Sequence, residues 1–218
     1  MPVVTRKEPG ANLETSAPPR DTHLAPGETA PPAGTASDDA QVDAWVASAR
    51  AGDQAALSAL VLRFERPVRV LGMRMLGPDQ AEDLAQETFL RMIQGLPKFR
   101  GEARFSTWLF GIAYLTAQGM RRRARRPAER AADLDAVPEP EAPGDHAEMV
   151  ALRAAVEWAL ARIRPQHRDA VTLYYLRELS LAEVAEVMGV PEATAKVYLF
   201  RGRQELYRLL EKEGARPT

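Results

Sequence analysis

Three short stretches of the chain gather residue types that hold nucleic acid rather than break bonds. The first, "MRRRARR" from Met120, crowds Arg121, Arg122, Arg123, Arg125 and Arg126 into one run. The second, "FRGEARFSTWLF" from Phe99, interleaves Arg100 and Arg104 with Phe105, Trp108 and Phe110. Rings stack on unpaired bases while cations follow a phosphate backbone, so this mixture suits a single strand. The third, "ATAKVYLFRGR" from Ala193, sets Lys196, Arg201 and Arg203 around Val197 and Tyr198. Cations of that kind reach phosphates at the borders of a groove while the residues between them meet base edges.

These runs stand out because the chain as a whole is balanced. Its 218 residues carry 29 Lys and Arg against 30 Asp and Glu, a formal net charge of -1 and a pI near 6.4. With 45% hydrophobic and 27% charged residues, the composition is that of an ordinary globular chain able to bury a core.

Several other chemistries are not expected. There is no cysteine, which removes disulfides and thiolate metal sites and points to a reducing compartment. The three histidines, His23, His146 and His167, are scattered without ligand spacing, so no metal is expected. No phosphate-cradling Gly loop or nucleophile elbow occurs; the chain is expected to be no enzyme and to need no cofactor. No apolar run approaches the roughly 20 residues of a membrane span, and the N-terminus lacks a charged start followed by an apolar core. A cytoplasmic protein with no membrane insertion is the expectation.

The elements that must position the basic runs read as helices. Residues 1–38 are rich in Pro, Ala, Gly and Thr and cannot bury enough surface to offset their ordering entropy, which predicts a disordered tail, regulatory or inert. Residues 127–147, "PAERAADLDAVPEPEAPGDHA", set prolines and the acids Glu129, Asp133, Asp135, Glu139, Glu141 and Asp145 against one base, Arg130, with Glu148 just beyond. That is a flexible acidic linker, stiffened by proline. Its acids are placed to shadow basic surfaces on either side. Two modules remain, 40–126 and 148–213.

In the first module, "AEDLAQETFLRMI" puts Ala81, Leu84, Ala85, Phe89 and Met92 at helical spacing, with Asp83, Gln86 and Glu87 on another face. In the second, Leu152, Val156, Leu160 and Ile163 repeat likewise. No stretch keeps a period of two. The fold class expected is all-α, two small helical domains joined by the linker.

The second module holds the most specific pattern, "LSLAEVAEVMGVPEATAKVYLFRGRQELYRLL". Ser180 and Glu183 have capping-box spacing. Leu181, Val184, Ala185 and Met188 form an apolar stripe, Gly189 suits a left-handed helix end, and Pro191 suits the first turn of the next helix. Helix, Gly turn and helix make a helix-turn-helix, the DNA-binding arrangement. On its second helix Ala195, Leu199, Gly202 and Leu206 face inward. Ala193, Val197, Phe200, Arg201 and Gln204 face out, flanked by Thr194 and Tyr198, with Lys196, Arg203 and Arg208 at the borders. The alternative is a plain helical hairpin with a solvated basic face.

The order of these motifs, from "AEDLAQETFLRMIQGLPKFRGEARFSTWLFGIAYLTAQGMRRRARR" through the linker to the helix-turn-helix, resembles the sigma-70 family and, within it, the two-domain extracytoplasmic-function sigma factors. The resemblance runs from about Asp43 to Leu210. It implies a region 2 domain over 40–126 and a region 4 domain over 148–213. It also implies a partner, core RNA polymerase, met through the β′ clamp helices and the β flap; Asp83, Gln86 and Glu87 match the family's clamp-docking helix, with Leu84 and Phe89 serving the core. Promoter DNA is the second partner. Arg100, Gly101, Arg104 and Phe105 would face the melted minus-10 strand, Trp108 and Phe110 the core, and a helix would begin at Ser106 or Thr107. Arg122 and Arg123 would contact phosphates just upstream, at a helix end where the dipole also favours cations. Ala193, Thr194, Lys196, Val197, Tyr198, Arg201 and Arg203 would meet the minus-35 element. An anti-sigma factor is the third implied partner.

The chain departs from its relatives at two places. Tyr114 and Leu115 stand where Arg-Asn is common, followed by Gly119 where an Asp is usual; Val197 and Tyr198 stand where Ser-Arg is frequent. Both lie on or beside the DNA-reading surfaces, so the family's promoter sequence does not carry over. Apart from the family, the same helix-turn-helix also fits a stand-alone regulator binding an operator as a dimer.

Overall fold

The computed structural model describes residues 36–128, 147–176 and 179–212. The expected tail up to residue 35 and the expected linker from residue 129 to 146 lie outside the described residues. Among the described residues there are eight α-helices and no strand, which agrees with the all-α reading.

Helix α1 (Ala36–Arg50) starts inside the stretch expected to be tail and sets Val42 and Val46 into the core. Helix α2 (Gln54–Leu76) begins at Asp53, whose carboxylate accepts the N–H of Ala55 at 2.8 Å and of Ala56 at 3.2 Å. That satisfies donors the first turn would otherwise leave unpaired. Leu60, Phe64, Val68, Leu71 and Met75, spaced three or four apart, form its buried stripe. Helix α3 (Ala81–Gly95) lays Leu84, Ala85, Phe89 and Met92 against it. Gly72 permits the close crossing, since a Cβ there would stand 3.0 Å from the Ala81 Cα.

Helix α4 (Phe105–Ala128) covers the pair with Leu109, Phe110, Ala113 and Ala117. It runs two residues into the stretch expected to be linker. Its first residue, Phe105, joins Phe64, Phe99 and Trp108 in an aromatic cluster with ring centroids 4.8 to 5.8 Å apart. Such tilted and edge-on pairs add to the burial term.

The second module starts with α5 (Ala147–Arg162) and α6 (Pro165–Val171), the latter widening into a π-type turn over Thr172–Leu176. Helix α7 (Leu181–Met188) has the capping box read from sequence: the Ser180 hydroxyl accepts the Glu183 N–H, and the Glu183 carboxylate accepts the Ser180 N–H at 2.8 Å. Gly189 closes it at φ 65°, ψ 37°, the left-handed conformation glycine adopts without strain. Helix α8 (Glu192–Lys212) follows. Pro191 stands just before it rather than in its first turn, its carbonyl accepting the N–H groups of Thr194 and Ala195.

The two modules are not held apart. α4 packs on α7, and α2 on α5 and α6, so that the buried residues of both modules form one continuous cluster. The two small bundles expected from the sequence are present, and beyond that expectation they share an interface.

Helix α8 approaches α6 closely because Gly202 lacks a side chain. A Cβ there would lie 2.7 Å from Val171 Cγ2 and 2.9 Å from the His167 carbonyl oxygen. Since backbone cannot swing aside as a side chain can, Gly202→Ala should destabilise the second module by about 1–3 kcal/mol. Thermal unfolding followed by circular dichroism checks this; an unchanged midpoint would contradict the packing.

Candidate nucleic-acid interface

Helix α8 separates its faces cleanly. Ala195, Leu199 and Gly202 are buried. Ala193, Lys196, Val197, Phe200, Arg201, Arg203 and Gln204 are exposed, and Thr194 and Tyr198 are half-buried at the margins. The Tyr198 ring lies 5.8 Å from that of His167, which is itself buried and hydrogen-bonded to Glu205 through Nδ1 at 3.0 Å. Burial pulls the Glu205 carboxyl up, but the His167 bond and the Arg164 backbone N–H outweigh it and hold it below the ordinary range. Arg203 donates to the Tyr175 hydroxyl at 3.3 Å. The outward face therefore combines free-standing apolar side chains with cations at its borders, as the sequence pattern predicts.

Helix α3 presents the second outward face. Asp83 and Gln86 are exposed and Glu87 half-buried, the last paired with Arg91 one turn on at 2.7 Å. Leu84 and Phe89 point into the core. Two large apolar residues, Leu90 and Ile93, also stand exposed on this helix; an acidic face beside apolar positions suits a basic, partly apolar partner.

The arginine and aromatic stretch is divided. Arg100 and Gly101 are exposed, Gly101 at φ 74°. Phe105, expected to face a DNA strand, is instead 2% exposed at the centre of the aromatic cluster. The reason is that α4 starts at Phe105, before Ser106, which turns the ring inward. Trp108 and Phe110 pack with the core as expected.

Arg104 is also not open. Its Nη2 donates to both oxygens of Asp39, at 2.7 and 2.6 Å, and its Nη1 lies 3.6 Å from Glu183. The Asp39 hydrogen bond, with both acids' charges, raises its pKa further.

Farther along α4, Leu115 is exposed but Tyr114 is 6% exposed, contrary to a place on the reading surface. Tyr114 lies on the side of α4 that the second module covers. Burial, with Asp169 nearby, pushes its hydroxyl pKa up.

The basic run at the end of α4 splits in the same way. Arg122 and Arg123 are exposed, while the side chains of Arg125 and Arg126 lie outside the described residues. Arg121 turns inward. It donates to both oxygens of Asp169 at 2.7 and 2.8 Å and to the Met75 carbonyl at 3.2 and 2.9 Å. Asp169 is wholly buried.

Arg168 adds a bond to the same carbonyl at 3.3 Å; burial lowers its pKa, with Arg121 adding to the effect. Thus the carbonyl near the C-terminus of α2 is capped by two arginines, where the helix dipole favours positive charge.

Two further contacts cross between the modules. Thr107 donates to Glu183 at 2.8 Å, and Arg74 meets Glu157 at 3.0 Å. Thr107, in the first turn of α4, is therefore a bridge to the helix-turn-helix. Burial raises the Glu183 carboxyl, but the Ser180 N–H, the Thr107 and Ser180 hydroxyls and Arg104 outweigh it, leaving it below its ordinary value. Across the interface, then, Asp169, Glu157 and Glu183 of the second module meet Arg121, Arg74 and Arg104 of the first, while Asp39 holds Arg104 from within the first module. Glu139, Glu141 and Asp145, expected to shadow those surfaces, lie outside the described residues.

Comparison with known proteins settles what this arrangement is. Residues 60–127 match Sigma-70 region 2, and residues 153–206 match Sigma-70, region 4. RNA polymerase sigma-H factor of Pseudomonas aeruginosa is 33% identical over 173 residues, spanning 73% of this chain and 89% of the relative. The chain belongs to the sigma-70 family. ECF RNA polymerase sigma factor SigW of Bacillus subtilis is 31% identical over 172 residues, covering 73% of this chain and 91% of that one. A solved sigma factor, RpoE of Bartonella quintana in complex with the anti-sigma factor NepR, shares the fold at TM-score 0.60 and 21% identity, over 71% of this chain and 96% of that chain.

The chain is thus a promoter-directing sigma factor of the extracytoplasmic-function branch, and the stand-alone dimeric regulator falls away. In this sigma factor the exposed faces of α3 and α8 belong to the matched region 2 and region 4 spans, and the interface between the modules joins the two regions.

Sequence reasoning missed Asp39, Glu183 and Asp169 as partners. Only Glu183 carried a signal, as a capping residue. Asp169→Asn leaves Arg121 with one partner fewer at a buried site, which should weaken the closed arrangement by about 3 kcal/mol. The chain lacks cysteine, so fluorophores placed by Leu62→Cys and Glu211→Cys report the separation of the modules. Energy transfer should fall in the variant; unchanged transfer would contradict the role of the pair.

Acid should act through Glu183 as well. A carboxylate with a lowered pKa contributes stability fully above its ordinary 4.5, and loses it as pH falls through the lowered value. Glu183→Gln should then show a flatter loss of stability below about pH 4.5 than the parent, measured by urea unfolding across that range.

Proposed function

We propose that the first module, 40–126, docks on core RNA polymerase and holds the minus-10 element, while the second, 148–213, reads the minus-35 element with α8. The observation that carries this reading is the outward face of α8, apolar at its centre and cationic at its borders, on the helix that follows the Gly189 turn. Asp83, Gln86 and Glu87 are the proposed contacts for the β′ clamp helices, and the second module is the proposed partner of the β flap. Arg100 and Gly101 are exposed where the melted strand would pass, Arg100 with Glu102 of the same loop 3.6 Å away; Arg104 becomes available only when its acids withdraw. Arg122 and Arg123 hold phosphates and set register. The factor works by binding alone, without bond chemistry, in the cytoplasm where polymerase and chromosome meet.

The closed arrangement is the unbound form in this reading. Elements centred near minus 10 and minus 35 lie about 25 base pairs apart, or about 85 Å at about 3.4 Å per pair. α4 and α7 touch through Thr107 and Glu183 at 2.8 Å, so engaging both elements requires the modules to part. Polymerase supplies two separated docking sites that accomplish it. An anti-sigma factor, the kind of partner bound to the solved relative, would act by preventing that docking; recovery of polymerase subunits alone in a native pull-down would count against it.

Run-off transcription with core RNA polymerase over a promoter library tests the proposal. Transcripts above those of core enzyme are expected, and their absence would overturn it. Replacing Arg122 and Arg123 by Ala should weaken binding alike on all promoters. The slope of log affinity against log salt should become shallower by about 2, given about 0.9 per phosphate contact. A change in promoter preference would instead assign these residues to base reading.

A further inference from the structure

The centre of the α8 reading face is apolar. Opposite the buried line of Ala195, Leu199 and Gly202, the exposed line is Ala193, Val197 and Phe200, spaced i, i+4, i+7 on one side of the helix. Val197 is 44% exposed and Phe200 47% exposed, with the modules closed. Lys196 and Arg201 flank the line, and Gln204 continues it one turn later; all three are exposed. A helix burdened with two large solvated apolar residues at its most outward positions has them there for a surface that covers them.

The flanking cations say what that surface is. A groove bordered by phosphates meets Lys196 and Arg201 at its edges and the apolar line at its floor. The floor of the major groove offers one apolar group, the 5-methyl of thymine. Ala193 to Phe200 spans about 10 Å at about 1.5 Å per residue, or about three base-pair steps.

We propose that α8 reads its upstream element chiefly through thymine methyl groups, with Val197 and Phe200 as the specificity-determining contacts over about three successive A·T pairs. This rests on the assignment of α8 to the minus-35 element. It moves specificity from hydrogen bonding at guanine or adenine edges to apolar contact.

The experiment uses holoenzyme reconstituted from core polymerase and the full chain. Bound duplexes are selected from a random pool, and in one selected duplex each upstream thymine is replaced by deoxyuridine, which differs only by the methyl. Each contacted methyl should cost about fourfold in affinity, as burial of one carbon group does at about 0.8 kcal/mol. Val197→Ser and Phe200→Ser, at exposed positions that leave the fold intact, should abolish that sensitivity while retaining the salt dependence set by the cations. Undiminished affinity for the uracil duplex, with upstream selectivity intact, would overturn methyl reading and leave α8 as the reading helix through its polar residues. Absence of any upstream selectivity would overturn the assignment of α8 itself.

Discussion

A wholly buried carboxylate, Asp169, fixes how the two modules of this sigma factor sit together. Desolvating a carboxylate costs several kcal/mol unless a cation and hydrogen bonds replace its water. Both its oxygens are taken by Arg121, which comes from the other module and is anchored in turn by the Met75 carbonyl. The pair therefore admits one registration of α4 against α6. Its net contribution is smaller than its geometry suggests, because both charges regain water when the modules part. An ion pair of this type specifies the closed arrangement without locking it, as the proposed opening on polymerase requires.

The remaining contacts follow the same economy of residues. Glu183 caps α7 and also receives Thr107 and approaches Arg104. One carboxylate thus ties the start of the helix-turn-helix to the start of α4. Arg104 is shared with Asp39 on α1, so the first helix, the aromatic loop and the second module meet around one guanidinium. Acid on one module and base on the other achieve within the folded residues the neutralisation that the chain's near-zero net charge only hints at.

How far the sequence reveals this depends on the range of each interaction. The capping box at Ser180, the left-handed Gly189, the small Gly202 and the two faces of α8 are local, set by residues within a turn or two, and are legible from spacing alone. Arg121 and Asp169 lie 48 residues apart. Nothing in "RPQHRDAV" marks Asp169 as the most buried acid among the described residues of the second module. Phe105 and Tyr114 show the same limit. A ring beside arginines is consistent with stacking on bases or with a core, and the register of α4, which starts one residue before Ser106, decides for the core. Thr107 marks only a helix start in the sequence; tertiary packing supplies its hydroxyl with an acceptor, Glu183, 76 residues away.

The closed form hides the two modules unequally. Arg104, Arg121 and Tyr114, all on region 2, are drawn into the interface, whereas Val197, Phe200, Lys196 and Arg201 on α8 stay exposed. Restraint of the free factor, in the proposed reading, thus falls on strand melting rather than on duplex contact. A handful of cations around an apolar line gives weak binding on its own, since phosphate contacts supply most nonspecific affinity. In that reading the helix samples duplex DNA without holding it, and retention awaits polymerase; parting the modules removes Glu183 from Arg104, whereas Asp39, on the same module, stays beside it. Selectivity by methyl contact fits that sequence of events, since in the proposed reading it discriminates among sites that the holoenzyme already holds through phosphate contacts.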